Sequence, residues 1–477
     1  MSAPMPSGAG PVVFKFGGTS VGDAARIRHV AGVVEAWCTA HGAPPVVVVS
    51  AVGEVTDHLM ELLAAPPETR GARLEEIAAF HRSLMAELTG GTEATDASES
   101  PAPADAPGDA LEAAVARARA ALAELDDPAL LPAAADVLLA LGEDLSSLAV
   151  TAALMARGVP ARRVDAREVV RTDDRFGFAR PDEEAVPALA RARILPLLEA
   201  GEVPVLQGFV GAASDGRTTT LGRGGSDLTA TLLGAALEAR EVHIWTDVEG
   251  ILSADPRLVP EARVLEVVGF EEAVELAYFG ARVMHAGAAK QAVARGVPVR
   301  VRSTFTPERP GTLILRDRWG GPTIAAVAVK PTVSLIKVRA RRTAIPYGFL
   351  ARVFEILARH RLPVDLVATS HTSTAFTVDE AEEIREVARE LEELAEVEVR
   401  TGLATVTVVG YGLLREPGFD ARVFGTVGRT PVHLVSQASD VSLSFVVDGG
   451  DASRLVRQLH AELVEPRPGT APAGGDR

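Results

Sequence analysis

The sequence predicts an α/β protein in two parts: a mostly parallel open sheet sandwiched by helices, then two similar βαββαβ units. From residue 11 to about residue 302, short β-branched runs alternate with segments of helical period, the order of a parallel sheet with crossover helices. Beyond residue 318 the order becomes strand, helix, strand, strand, helix, and it occurs twice in repeats of roughly 70 residues. Composition agrees. A chain of 477 residues, 47% hydrophobic and 23% charged, matches ordinary globular usage and supplies substantial cores without disulfides.

In chain order, residues 1–10 read as a flexible Pro/Gly-rich leader and the first body spans 11–318. Residues 11–18 (PVVFKFGG) and 44–50 (PPVVVVS) have the composition of buried strands, with a helix over 23–40 between them. Residues 90–109 are rich in Ala, Pro, Ser, Thr and acids. With almost no large apolar side chain to offset the entropy of ordering, they are expected to form a disordered insertion. Helical period resumes over 111–125 and 133–158, and strands are expected at 203–210 and 241–246 on either side of a helix over 226–239. The first repeat, 323–403, holds strands 333–338, 364–369 and 373–378 with helices 348–360 and 379–393. The second, 404–465, holds strands 404–409, 432–436 and 441–447 with helices 419–427 and 451–463. The run 323–329 fits either repeat, so the chain can interleave them, and 466–477 reads as a flexible tail.

A net charge of −16 argues against a general nucleic-acid or anionic-membrane surface and leaves small anionic ligands open. The lone Cys38 cannot form an intramolecular disulfide, which fits a reducing compartment, and MSAPMPSGAGP lacks the basic and apolar regions of a signal peptide. No later run approaches the ~20 apolar residues of a membrane span, so a cytoplasmic protein without a membrane partner is expected.

Lys15-Phe16-Gly17-Gly18-Thr19-Ser20 sets a cation at the carboxyl end of a strand, before glycines and hydroxyls that precede a helix. Backbone N–H groups approach phosphate where glycine lacks a Cβ, and a helix N-terminus adds partial positive charge. The bland reading is a glycine turn with a solvated lysine. No Gly-Lys-Ser/Thr follows, so this is not a Walker A loop. TTTLGRGGSD (218–227) runs into an apolar helix that Ser226 or Asp227 is placed to cap, and Arg223 among three glycines offers a planar fork for a carboxylate. Gly222-x-Gly224-x-x-Asp227 lacks the third glycine of a dinucleotide fingerprint. Trp245-Thr246-Asp247-Val248-Glu249-Gly250, leading to Asp255-Pro256-Arg257, puts polar groups outside the carboxyl end of a strand, where open α/β sheets bind ligands. Arg282 adds a cation to the helix-like stretch 279–285. His285 reads as a packed histidine, since no His, Cys or carboxylate stands at metal-ligand spacing from it.

With KFGGTSV (15–21), the segment 50–56, Gly142-Glu143, RTDDRFG (171–177), TTTLGRGGSD, WTDVEGILSADPR (245–257) and FGARVMH (279–285) in this order, the chain strongly resembles the aspartate kinases of the amino-acid kinase superfamily. The resemblance covers nearly all of the chain apart from 90–109 and the termini. It implies an amino-acid kinase fold followed by two ferredoxin-like ACT domains, and GFLARVFEILARHRLPVDLVATS (348–370) and SLSFVV (442–447) are closest to the lysine-sensitive, monofunctional branch. It also implies an ATP- and Mg²⁺-dependent enzyme that converts L-aspartate to 4-phospho-L-aspartate, the first step toward lysine, threonine and methionine, under amino-acid feedback. The alternatives are another amino-acid kinase of the same fold, disfavoured by the ACT pair with Arg223 and Glu143, and a catalytically silent sensor, disfavoured by intact Lys15 and Asp227.

Residue by residue, the resemblance makes Lys15 the principal cation on the transferring phosphoryl group, oriented by Asp227, with Gly17, Gly18, Thr19 and Ser20 as the phosphate-proximal loop. Arg223 clamps an aspartate carboxylate, Glu143 pairs with the α-ammonium, and Ser50, Thr56 and Ser226 complete the substrate site. Thr246, Asp247 and Arg257 match nucleotide-site positions, and Arg282 stands where the family usually has a phosphate-binding Lys. Further departures are Ala286 in place of Pro, Gly53-Glu54 in place of Ala-Gly, and Leu252 at an often aromatic position. The chemistry agrees, because a carboxylate nucleophile is already ionised at neutral pH and needs positioning and cations rather than a general base. For regulation the resemblance implies lysine, rather than threonine, binding at a homodimer or dimer of dimers formed through the ACT domains. Gly348, Phe349, Leu350, Val364, Asp365, Ser370 and His371 match the effector site, with Asp365 toward the effector ammonium. His371 replaces the usual Glu, which removes one attraction for a cationic effector.

Overall fold

A computed structural model of the chain describes residues 10–90, 107–280, 289–318, 323–341, 348–370 and 372–465. The chain divides into two units, Met1–Ile251 with Val283–Asp317, and Leu252–Arg282 with Arg318–Arg477.

The first unit opens with β1 (Val12–Phe16), a 3-10 turn at Gly18–Val21, α1 (Ala24–His41) and β2 (Val46–Val49). Helix α1 starts where the Asp23 carboxylate accepts from the Arg26 N–H, and it ends at left-handed Gly42. Helices α2 (Val55–Ala64), α3 (Pro67–Thr89), α4 (Pro107–Leu122) and α5 (Leu131–Ala156) follow. Then come β3 (Ala161–Val164), β4 (Arg171–Thr172), α6 (Ala185–Glu199), β5 (Val203–Gln207), β6 (Val210–Ala213), β7 (Thr218–Thr220), α7 (Gly225–Ala236) and β8 (Glu241–Thr246). The next elements, β9 (Val267–Gly269) and α8 (Phe270–Phe279), belong to the second unit, whereas α9 (Lys290–Ala294), β10 (Val299–Ser303) and β11 (Thr312–Leu315) return to the first.

Within the first unit the strands run β3-β5-β2-β1-β8-β10-β11, parallel except for the β10–β11 pair. Strand β1 lies between β2 and β8, so Phe14 and Phe16 are fully enclosed and pack against Trp245. A separate small sheet holds β4, β6 and β7. The run 203–210 is broken after Gln207, because Phe209 takes φ 66, outside the extended region. Of residues 90–109, α4 already claims those from Pro107, and 91–106 lie outside the described residues. Contrary to the sequence reading, one helix, α5, is long and apolar enough to cross a membrane. However, 83% of its apolar window is buried, with Leu138, Leu141 and Leu145 in the same core as Phe14 and Ile27.

In the second unit β12 (Ile324–Ala340), β13 (Val364–Thr369), β14 (Ser373–Asp379), β15 (Ala395–Gly410), β16 (Val432–Ser436) and β17 (Ser442–Asp448) form an antiparallel sheet in the order β13-β14-β12-β15-β17-β16. Its helices are α10 (Phe349–Arg359), α11 (Ile384–Glu392), α12 (Phe419–Val427) and α13 (Gly449–Leu463). Strand β12 is shared between the repeats. Residues 324–330 pair with 405–410, and after a register shift around Pro331 the residues from Val333 onward pair with β14 and with the first half of β15. Two cores result, one with Val327, Val406, Phe445 and Leu455 and one with Ile336, Val353, Phe376 and Val387. Ala254 and Val259 join the first of these, so 252–282 belongs to the second unit rather than to a single body 11–318. Helix α11 begins at Ile384 rather than at 379, because Asp379 is still paired with Val333 across the β12–β14 ladder.

His81 on α3 is 1% exposed; its Nδ1 lies 2.8 Å from the Ile77 carbonyl oxygen, and Nε2 has no partner. Burial pulls its pKa down from 6.5 to about 4. Above pH 6.5 the ring is neutral whether folded or unfolded; below it only the unfolded chain takes up the proton, so stability falls as pH drops toward 4. In urea unfolding, the wild type should lose on the order of 2 kcal/mol more than His81→Leu between about pH 7 and about pH 5. Equal losses would show that His81 does not carry the acid sensitivity.

Candidate functional site

Strands β5, β2, β1 and β8 are neighbours in the parallel sheet, so their carboxyl ends form one edge. Lys15, next to last in β1, brings Nζ to 2.7 Å from Asp227 Oδ1, with both side chains nearly buried. Asp227 lies in the first turn of α7, where the partial positive charge of the helix end favours a carboxylate. The N-cap is left-handed Gly224, φ 71, and not Ser226 or Asp227, which both fall inside the helix. The glycine turn is stitched to its surroundings by backbone bonds: the Gly17 N–H donates to Trp245 O (3.2 Å), the Ser50 N–H to Phe16 O (3.1 Å) and the Gly53 N–H to Gly18 O (3.1 Å). Thr19 is exposed, but the buried Ser20 hydroxyl is engaged with Thr304 Oγ1 at 2.7 Å, so Ser20 can offer a phosphate only its backbone.

Glu143 on α5 is 3% exposed, and its Oε2 has no hydrogen-bond partner. Burial pushes its carboxyl up to about 8, against the opposing pull of the Ala51 N–H bond and the Lys15 charge. The neighbouring Asp144 has the opposite fate. Burial alone would raise it, yet Arg167 at 2.9 Å, Arg163 at 3.0 Å and the Gln207 amide at 2.7 Å hold its carboxyl below the ordinary value. Arg223 is exposed between glycines of positive φ and makes no hydrogen bond or ion pair with the described residues. Ser226 is buried, and Ser50 and Thr56 are half-buried, after β2 and in the first turn of α2. Thr246 ends β8 and donates to the exposed Asp247 carboxylate at 3.1 Å.

Other expected site residues belong to the second unit or lie outside the described residues. Arg257, in the second unit, is 87% exposed and pairs with Asp255 at 2.6 Å. Helix α8 stops at Phe279, and Arg282 and His285 lie outside the described residues. In the ACT-like sheet Gly348 caps α10, Phe349 is buried, Leu350 is exposed and Val364 is half-buried. Asp365 pairs internally with Lys330 Nζ at 2.8 Å and accepts from the Tyr278 hydroxyl, while Lys330 also meets Asp379 at 2.7 Å. Ser370 is exposed with its hydroxyl 2.9 Å from that of Ser373, and His371 lies outside the described residues. Among the described residues no group of three or more His, Cys, Asp or Glu is placed to hold a metal ion. Sequence reasoning missed Asp144 and Lys330; for Asp144 the available signal was acids at 136, 143 and 144 inside an otherwise apolar helix.

The arrangement supplies a buried carboxylate open to an ammonium, a cation held beside a glycine turn, and an unengaged guanidinium. Residues 10–303 match the amino acid kinase family, and 406–463 match an ACT domain. The lysine-sensitive aspartokinase 3 of Escherichia coli (strain K12) is 37% identical over 464 residues, covering 95% of this chain and 99% of that protein. The chloroplastic aspartokinase 1 of Arabidopsis thaliana is 34% identical over 476 residues, covering 95% of this chain and 80% of that one. The crystal structure of E. coli aspartokinase III in complex with lysine and aspartate, in the T-state, is similar with a TM-score of 0.81 at 36% identity, over 95% of this chain and 100% of the other. The R-state structure with aspartate and ADP gives 0.77 at 35% identity over the same shares, 95% and 100%. With the kinase-family match over most of the chain and relatives aligned over nearly all of it, the chain belongs to the aspartokinases, within the amino acid kinase family.

Proposed function

We propose that the protein transfers the γ-phosphoryl group of MgATP to the side-chain carboxylate of L-aspartate, giving 4-phospho-L-aspartate and ADP. The observation that carries this reading is the Lys15–Asp227 pair beside the glycine turn, in electrostatic reach of a buried Glu143 with an open Oε2. The site thus offers a cation for phosphoryl oxygens and an anion for an ammonium, the two charges that this donor and a zwitterionic acceptor require. A carboxylate oxygen of aspartate attacks the γ-phosphorus, the bond to the β–γ bridging oxygen breaks, and its electron pair leaves with ADP. No base is needed, because the nucleophile carries no proton at neutral pH.

Lys15 stabilises charge on the phosphoryl oxygens and Asp227 keeps its ammonium aimed. Glu143 takes the substrate ammonium, Arg223 a carboxylate, and Ser50, Thr56 and Ser226 complete the aspartate site. Gly17, Gly18, Thr19 and the Ser20 backbone face the phosphates, and Thr246 and Asp247 are assigned to the nucleotide. Mg²⁺ arrives with the nucleotide, held by phosphate oxygens and water as is usual for this ion, and no protein ligand is assigned to it.

Feedback control is assigned to the ACT repeats, assembled as a homodimer, with lysine as the effector; lysine is bound in the E. coli T-state structure. Two features of this chain oppose tight lysine binding. An incoming ammonium competes with Lys330 for the Asp365 carboxylate, and His371 offers no carboxylate of its own.

ADP release should depend on aspartate and not on glutamate or acetylglutamate, and Lys15→Ala should lower kcat on the order of a hundredfold with aspartate KM nearly unchanged. Near-normal kcat in that variant would remove Lys15 from the mechanism. Because the Glu143 carboxyl sits up at about 8, aspartate KM should fall about tenfold per unit as pH rises toward 8 and then level off. In Glu143→Gln the profile should be flat with KM high throughout, and a wild-type slope that survives in this variant would exclude Glu143 as its source. Lysine inhibition should be weak in the wild type and stronger in His371→Glu; micromolar inhibition of the wild type with no gain in the variant would count against the effector reading.

A further inference from the structure

Asp136 is a buried carboxylate outside the set assigned above. It lies two helical turns before Glu143 on α5, on the same face of the helix, and is 1% exposed. Its donors all belong to loops and strand ends away from α5. Oδ2 accepts from the Gly177 N–H at 3.0 Å and the Thr220 N–H at 2.8 Å, and Oδ1 accepts from the Thr220 hydroxyl at 2.8 Å. These partners are neutral, so the side chain acts as a junction of directed hydrogen bonds rather than as half of an ion pair.

Two segments meet at this junction. Thr220 closes β7 and leads directly into Leu221-Gly222-Arg223-Gly224, while Gly177 belongs to the RTDDRFG stretch. They also bind each other: the Ala179 N–H donates to Thr220 O at 2.9 Å, and a Cβ on Gly222 would lie only 2.4 Å from the Phe178 ring. Arg223 has no hydrogen bond or ion pair of its own with the described residues, so the direction of its guanidinium is inherited from the backbone on either side.

We propose that Asp136 is the positioning residue for Arg223, clamping the 177 and 220 segments so that the guanidinium meets the aspartate carboxylate. This rests on the assignment of Arg223 to that carboxylate. Asp136 serves acceptor-substrate recognition and not phosphoryl transfer or nucleotide binding. The hydrogen bonds, not the charge, perform the task. An Asn side chain keeps an acceptor for both N–H groups, and its amide can donate to the Thr220 oxygen once that hydroxyl turns.

Steady-state kinetics on the full chain with Asp136→Ala, Asp136→Asn, Arg223→Ala and the Ala/Ala double variant test this. Asp136→Ala should raise aspartate KM about tenfold while kcat and ATP KM stay within about twofold, and Asp136→Asn should stay near wild type. The double variant should be no worse than Arg223→Ala alone, since nothing is left to position. If Arg223→Ala raises aspartate KM but Asp136→Ala does not, or if Asp136→Ala lowers kcat and raises ATP KM alike, the positioning role is overturned and the Arg223 assignment stands. An unchanged aspartate KM in Arg223→Ala overturns that assignment and this inference together. Should Asp136→Ala fail to fold, Thr220→Val removes only the hydroxyl bond; a rise in aspartate KM of about threefold with ATP KM unchanged is expected, and no rise overturns the proposal.

Discussion

Close backbone approach at the carboxyl edge of the parallel sheet is the constraint on which the site depends. A Cβ at Gly142 would lie 2.7 Å from the Ala51 Cβ, and one at Gly208 would lie 2.5 Å from the Ser226 Cβ. Only hydrogen fits at either place. Because α5 comes this near to the chain after β2, Glu143 is stripped of water yet receives the Ala51 N–H. Because the first turn of α7 comes this near to the end of β5, Asp227 reaches Lys15. Removing water from these groups magnifies every charge among them.

Helix α5 shows how one element assigns different work to like residues. Asp136 gathers loop hydrogen bonds, Asp144 is neutralised by Arg163 and Arg167, and Glu143 keeps an open oxygen. Glu143 and Asp144 are adjacent in sequence but point about 100° apart around the helix, so one meets the arginines and the other meets the sheet edge. Buried polar atoms are usually satisfied, and of these three acids only Glu143 keeps an oxygen without a hydrogen-bond partner among the described residues.

In the second unit the shared strand β12 makes the two ACT-like repeats one folding unit, since 324–330 serve one core and the residues from 333 onward serve the other. Lys330 stands at the changeover, bridging Asp365 and Asp379 with the Tyr278 ring 5.0 Å from its ammonium. A carboxylate that already holds an internal cation is a poorer receptor for an external one, and here that internal cation stands on a strand shared by both repeats.

By itself the sequence determined the alternation of strands and helices, the paired repeats, the glycine turn and the order of motifs, because these are local patterns of period, turn chemistry and spacing. Strands such as 241–246 and 432–436 were legible to the residue. Helix ends were less so: the capping of α7 fell to Gly224, and α11 began late because a strand partner held Asp379. Only the tertiary structure decided which buried acids are ion-paired and which keep an oxygen open. It also joined Asp136 to residues 41 and 84 positions away, engaged the Ser20 hydroxyl with Thr304 and gave Asp365 an internal cation. The physical reason is that desolvation and hydrogen bonding between distant segments arise from packing, and the sequence spacing within either partner carries no record of them.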